Sequence, residues 1–326
     1  MRCFVTGGTG FVGSHLIRYL EEAGHQVVAF HREGSDLSQL VGTRATRKIG
    51  SLISPDDLER AMKGCEVVFH VAGNTSWFLR DRSVVIETNV RGTEAVVEAM
   101  QRTGIVRGVI TSSVSATGYT DDADHPADES TPFNWPDPFH YPSSKRRAEE
   151  IFLQAEGLET VAVLPTVVLG PGDARLGIGE MFQRIAWRQM PRLGRGGVST
   201  CDARDVAHGH WLALEQGRPG EGYVLCGENI PYGELIDRIA EEVGVVAPRL
   251  RVPGLMVGGI SQAVFLLERL GIPMPTAGGH IWCMTRTLYH SPRKAERELG
   301  YRSRPLAETL AESVGWYREH GHLERS

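Results

Sequence analysis

The sequence predicts an α/β fold, a doubly wound parallel sheet flanked by helices, with a smaller, mostly helical C-terminal lobe that would select the substrate. Three observations carry this prediction. A glycine-rich turn joins a short apolar run to an amphipathic segment at the start of the chain. Apolar runs then alternate with helical patterns through the first half. The rhythm breaks after residue 164, where Pro165, Gly170-Pro171-Gly172 and the glycines at 194, 196 and 197 intervene. Strands alternating with helices of this length make a parallel sheet with helices on both faces, a Rossmann arrangement.

The elements follow in order. The apolar run 2–6 is the first strand, and residues 12–22 form an amphipathic helix. Between them lies Val5-Thr6-Gly7-Gly8-Thr9-Gly10-Phe11-Val12-Gly13. Gly7 suits the tight turn, Gly10 lets backbone approach a pyrophosphate, and Gly13 lets the helix pack closely on its strand. The helix N-terminus then offers unpaired N–H groups and the positive end of its dipole to phosphate. Further strands are expected at 26–30, 45–49, 66–71, 108–112 and 160–164, with helices at 54–62, 83–102, 143–156 and 178–190. Ser54-Pro55-Asp56-Asp57 supplies an N-cap, a first-turn proline and acids at the dipole's positive end. The expected division is residues 1–165 plus 201–228 for the dinucleotide and 166–200 plus 229–326 for the substrate lobe.

Composition bounds the function. The chain has 326 residues, 41% hydrophobic and 23% charged, with a formal net charge of -5. That balance argues against non-specific nucleic-acid binding, which needs a basic surface. Five scattered cysteines, Cys3, Cys65, Cys201, Cys226 and Cys283, form no CxxC or zinc-type pattern and point to a reducing, cytoplasmic setting. The chain runs directly into its first strand, so no signal peptide is expected. Residues 255–270 are apolar but broken by Ser261, Gln262, Glu268 and Arg269. They read as a core or lid helix rather than a stable membrane insertion, with a membrane-surface helix as the lesser alternative. His208 and His210 flank Gly209 in a probable helix, so their side chains diverge and no metal is expected.

Chemistry is concentrated at Tyr141-Pro142-Ser143-Ser144-Lys145. Tyrosine and lysine four apart share a helix face. A tyrosine that exchanges a proton at neutral pH must shift by about three units from its reference pKa of ~10, roughly 4 kcal/mol. An ammonium ~4 Å away at an effective dielectric of ~20 supplies about that much. The strand before this helix ends in Thr111-Ser112-Ser113, where a hydroxyl at the sheet's carboxyl edge can bind a substrate carbonyl.

Taken together, these motifs resemble those of the extended short-chain dehydrogenase/reductase family. TGGTGFVG resembles its glycine turn, Phe69-His70-Val71-Ala72-Gly73 its fourth-strand segment, and Thr88-Asn89-Val90-Arg91-Gly92-Thr93 its TNVxGT helix motif. The resemblance extends through Pro165 and Asp205-Val206 to residues 294–300. Within the family the chain is most similar to dihydroflavonol-4-reductase-type carbonyl reductases and bacterial relatives. It implies Ser113, Tyr141 and Lys145 as the catalytic trio, with Ser112 and Ser115 as alternatives for the serine. It further implies dinucleotide contacts from Gly7, Gly10, Phe11, Val12, Gly13, Arg32, Ser51, Leu52, Val71, Ala72, Gly73, Asn89, Tyr141, Lys145, Pro165, Val167 and Val168.

Two departures from the family pattern are informative. NAD-specific members usually carry an acid at the end of the second strand; here Phe30-His31-Arg32 stands there. A guanidinium binds a 2′-phosphate that an acid would repel, so NADP(H) is expected over NAD(H). Gly50-Ser51 replaces the usual Gly-Asp near the adenine. Val167 and Leu164 replace the asparagine and arginine of nucleotide-sugar enzymes, although Arg188, Arg192 and Arg195 could serve instead.

The expected function is NADP(H)-dependent reduction of a small-molecule carbonyl or oxidation of an alcohol, by a monomer or homodimer. Rivals are a sugar-nucleotide epimerase or dehydratase, a 3β-hydroxysteroid dehydrogenase-like enzyme, and a catalytically idle NADP(H) sensor. Trp77, Phe78, Trp187, Trp282 and Met284 are candidates for an apolar substrate pocket. Ordinary core packing explains each equally well.

Overall fold

The computed structural model describes residues 1–137, 139–193, 196–248 and 250–324. Strands β1 (Arg2–Thr6), β2 (Gln26–His31), β3 (Thr46–Ile49), β4 (Val67–His70), β5 (Arg107–Thr111) and β6 (Glu159–Pro165) arise in chain order. They are followed by β7 (Val167–Leu169), β8 (Arg192–Leu193), β9 (Gly197–Asp202), β10 (Gly222–Leu225), β11 (Asn229–Pro231), β12 (Arg251–Val252) and β13 (Thr287–Leu288).

Seven strands form one parallel sheet in the order β10-β6-β5-β4-β1-β2-β3. The chain crosses from β3 to the far side of β1 to form β4, so β1 and β4 flank the point where the winding reverses. Ligands bind outside the carboxyl ends of strands at such a point. The register aligns those ends: Thr6 is opposite Phe30 and His70, His70 is opposite Ile110, and Thr111 is opposite Val163. The glycine turn, residues 71–73, Ser113 and the chain after Pro165 therefore emerge along one edge.

Apart from the exposed edge strand β3, near-continuous apolar strands bury both faces, as a parallel sheet requires. On one face the helix Phe11–Glu22 packs beside Ala203–Gln216; on the other, Pro55–Met62, Gly92–Thr103 and His140–Leu153 lie side by side. Ser54 caps its helix as expected, its Oγ accepting from Asp57 N at 3.3 Å.

The rest of the chain builds a smaller sheet, β11-β9-β13 with β7 also on β9, packed with Gly179–Ala186, Tyr232–Val243 and Leu306–Glu319. Helix Gly254–Arg269 buries Val257, Ser261 and Val264 but leaves Leu255, Met256, Ile260 and Leu266 exposed. Among the described residues no helix is long and apolar enough to cross a membrane.

Three helices differ from expectation. The helix expected at 143–156 is His140–Leu153, so Tyr141 stands in its first turn; Pro142 belongs there because its missing N–H needs no partner. The helix expected at 178–190 stops at Ala186, and Arg188 takes a left-handed φ of 57° before β8. The helix expected at 83–102 is helical throughout but contains a π turn, Glu87–Arg91.

Candidate active site

Gly7 has φ 70°, and its Cβ would lie 2.6 Å from Ala72 N. Glycine is the residue that satisfies both demands. A Cβ on Gly13 would come within 2.2 Å of Gly7 O, so helix and turn touch backbone to backbone. A Cβ on Gly10 would meet nothing within 4 Å except Gly7 O at 3.2 Å. Gly10 therefore leaves open space on the side of the helix N-terminus, a cradle that suits a pyrophosphate.

Beneath the cradle runs a buried polar chain. Thr6 Oγ1 accepts from Val71 N and Ala72 N, both at 3.1 Å, and lies 2.8 Å from His70 Nδ1. His70 Nε2 lies 3.0 Å from Thr93 Oγ1, which donates to Asn89 O at 2.6 Å. Thr93 has spent its proton on Asn89, so His70 Nε2–H must donate to Thr93, and Thr6 O–H must donate to His70 Nδ1. Burial pushes the His70 pKa down to about 3, consistent with this neutral ring. Asn89, inside the π turn, brackets Asn74: its Oδ1 accepts from Asn74 N at 2.7 Å, and its Nδ2 donates to Asn74 O at 2.9 Å. The same Nδ2 reaches Ser144 Oγ at 3.0 Å, and Ser144 Oγ donates to Tyr141 O at 2.7 Å. One chain of bonds thus connects the glycine turn to the helix that carries Tyr141 and Lys145. π turns recur at functional positions in helices.

Tyr141 and Lys145 are buried and line one cavity with Ser113. Lys145 Nζ donates to Thr111 O at 2.6 Å, and burial lowers its pKa to about 8. Burial also raises the Tyr141 pKa, while its hydrogen bond with Ser113 acts the other way. This is opposite to the depression expected from the Tyr-Lys pair: removal of the phenol from water dominates. Ser113 Oγ donates to Ser115 Oγ at 3.1 Å, whereas Ser112 is buried toward the Glu149 carboxyl. All three serines border the cavity.

The cavity encloses about 1480 Å³ and runs from the glycine turn into the smaller lobe. It brings together Gly7, Gly10, Phe11, Val12, Gly13, Arg32, Ser51, Leu52, Val71, Ala72, Gly73, Pro165, Val167 and Val168. Asn89 stands behind this wall, buried and bonded to Asn74, rather than on it. Arg32 is exposed at the end of β2, with no carboxylate partner among the described residues.

Asp57 also borders the cavity, its Oδ2 accepting from Ser51 N at 2.8 Å. An acid therefore stands beside Ser51 after all, supplied by the following helix. The capping pattern at 54–57 placed Asp57 in a first turn, but only the fold brings it to the cavity. Arg175 and Arg184, unforeseen from the sequence, line it as well, and Arg184 pairs with Glu180 at 2.7 Å. Arg192 pairs with Asp237, Arg188 does not line the cavity, and Arg195 lies outside the described residues.

Trp77 and Met284 line the cavity. Trp282 packs among Trp135, Phe139 and Tyr119, Phe78 lies under Arg80, and Trp187 ends the helix Gly179–Ala186. His210 uses both ring nitrogens within the protein, toward Thr111 Oγ1 and Val206 O, while His208 is set against Tyr19.

Residues 3–226 match the model of the NAD dependent epimerase/dehydratase family. The chain belongs to that family. Its members are extended short-chain dehydrogenases/reductases, so the protein is an oxidoreductase of the NAD(P)-dependent kind. A Synechocystis sp. protein carrying the provisional name dihydroflavonol 4-reductase is 34% identical, covering 98% of this chain and 96% of its own. Sterol demethylase protein B of Methylococcus capsulatus is 31% identical over 99% of this chain and 100% of its own. The crystal structure of gox2253 superposes with a TM-score of 0.86 at 33% identity, covering 99% of both chains.

Proposed function

We propose that this family member is an NADP(H)-dependent carbonyl reductase or alcohol dehydrogenase, acting on a ketone, aldehyde or secondary alcohol. The observation that carries this reading is the meeting of Ser113, Tyr141 and Lys145 on one cavity wall beside the glycine cradle. The likeness to a protein named for dihydroflavonol reduction supports a carbonyl as acceptor. In this reading residues 1–165 with 201–228 hold the dinucleotide, and residues 166–200 with 229–326 select the substrate.

The nicotinamide, when bound, supplies or takes the hydride. Ser113 Oγ orients the substrate oxygen. Tyr141 gives that oxygen its proton during reduction and takes it back during oxidation. The raised Tyr141 pKa keeps the phenol protonated, the form a donor needs. Lys145, an ammonium below about pH 8, binds the ribose next to Tyr141 and steadies the phenolate left after transfer. Arg32 grips the 2′-phosphate through charged hydrogen bonds.

The test is a screen of ketones and aldehydes with NADPH, following loss of nicotinamide absorbance. One alcohol should form for each NADPH consumed. Turnover of a sugar nucleotide with the cofactor retained and unconsumed would overturn the reading.

A further inference from the structure

Beyond Tyr141 the cavity enters the smaller lobe, and part of its wall there is apolar. Trp77 is held from several sides. Its ring centroid lies 5.3 Å from that of Tyr141, 5.5 Å from Phe139 and 5.8 Å from Trp135. It also rests on Gly279, where a Cβ would come within 2.6 Å of its Cε3. An indole seated this closely loses little freedom on meeting a ligand, so its remaining surface is a preorganised apolar platform. Farther in, Met181, Met190 and Met284 border the space. Methionine adapts its shape to irregular hydrocarbon better than branched side chains do.

Several arginines of this region already have carboxylate partners. Arg184 pairs with Glu180 at 2.7 Å. Arg192 pairs with Asp237, and Arg286 pairs with Asp121 at 2.9 Å while lying over Trp282. A diphosphate bound by Arg184 would have to displace Glu180.

We propose that the substrate is an uncharged ketone or secondary alcohol on a bulky hydrocarbon body, its ring or chain lying against Trp77 and its far end among Met181, Met190 and Met284. This rests on the reading that Tyr141 meets the reacting oxygen.

The test uses the full chain with saturating NADP⁺ or NADPH and two probe sets. One is a series of methyl ketones from 2-butanone to 2-undecanone, together with the bicyclic 2-decalone; the other is dihydroxyacetone and UDP-glucose. Each buried methylene is worth about a fourfold factor. Both kcat/KM and calorimetric affinity should therefore rise at least ~100-fold from 2-butanone to 2-undecanone or 2-decalone. Trp77→Ala should remove at least ~10-fold of that gain, with Trp77→Phe keeping most of it. Affinity independent of size, or tightest binding of dihydroxyacetone or UDP-glucose, would overturn the proposal. Size-dependent binding without turnover of any carbonyl would sink the reductase reading and leave the cavity's preference standing. Turnover without size dependence would do the reverse.

Discussion

His70 Nε2 donates to Thr93 Oγ1 across 3.0 Å, and this bond fixes the proton direction of the buried chain between the glycine turn and the π turn. Every donor and acceptor from Thr6 to Asn89 is satisfied in one arrangement. Thr93→Val keeps the side-chain shape but leaves the His70 donor unpaired. An unpaired buried donor costs about 1–3 kcal/mol. Urea unfolding should show a loss of that size for Thr93→Val and a much smaller one for Thr93→Ser. Equal losses would mean the hydroxyl contributes nothing.

Among the histidines that burial lowers, the largest shifts are at His70, to about 3, and at His210 and His290, to about 4. The folded chain cannot protonate them where the unfolded chain can, below the usual histidine value of ~6.5. The unfolded state then binds more protons, so stability falls as pH drops from about 6.5 toward 4. The urea midpoint should decline steadily over that window. A flat profile would mean these rings take up protons in the fold.

Gly10 and Gly13 should respond differently. The Cβ of Gly10→Ala meets only Gly7 O, at 3.2 Å, whereas that of Gly13→Ala would sit 2.2 Å from the same oxygen. Gly10→Val should fold and lose dinucleotide binding, its methyls filling the pyrophosphate cradle. Gly13→Ala should lower the melting temperature itself. Normal NADPH titration of Gly10→Val would place the cofactor elsewhere.

Arg32 is the proposed determinant of cofactor preference. NADPH should bind at least ~10-fold more tightly than NADH, about 1.4 kcal/mol. Arg32→Ala should erase most of that margin while leaving the NADH affinity nearly unchanged. Equal affinities in the unaltered protein would remove Arg32 from this role.

Tyr141→Phe removes one hydroxyl and keeps the ring. Carbonyl reduction should fall by roughly 10²–10⁴-fold, the range for a positioned general acid, with NADPH affinity retained. Lys145→Met should damage both, because in the proposed mechanism one ammonium serves the ribose and the phenol. Near-normal reduction by Tyr141→Phe would show that the proton comes from another group.

The parts of this structure legible in the sequence are local. The glycine turn, the Ser54 cap and the spacing of Tyr141 and Lys145 each depend on residues within one or two helical turns of each other. Those that were not legible depend on distant partners. Trp77 settles on Gly279 across some two hundred intervening residues. The π turn at Asn89 follows from bonds to Asn74 and Ser144 that no periodicity encodes. The helix that carries Tyr141 begins three residues before the expected 143, because Pro142 reads as a break until its place in the first turn is seen.

The position of β10 has a consequence for how the protein is made. This strand, at residues 222–225, covers the outer edge of β6, and the helix Ala203–Gln216 covers Phe11–Glu22 from the same face. A ribosome that has just released Pro165 therefore presents a sheet with β6 bare and one helical layer unfinished. The cradle's sheet reaches its final form only after sixty more residues have emerged. A message truncated within that interval would yield an exposed parallel edge ready to pair with a neighbouring chain.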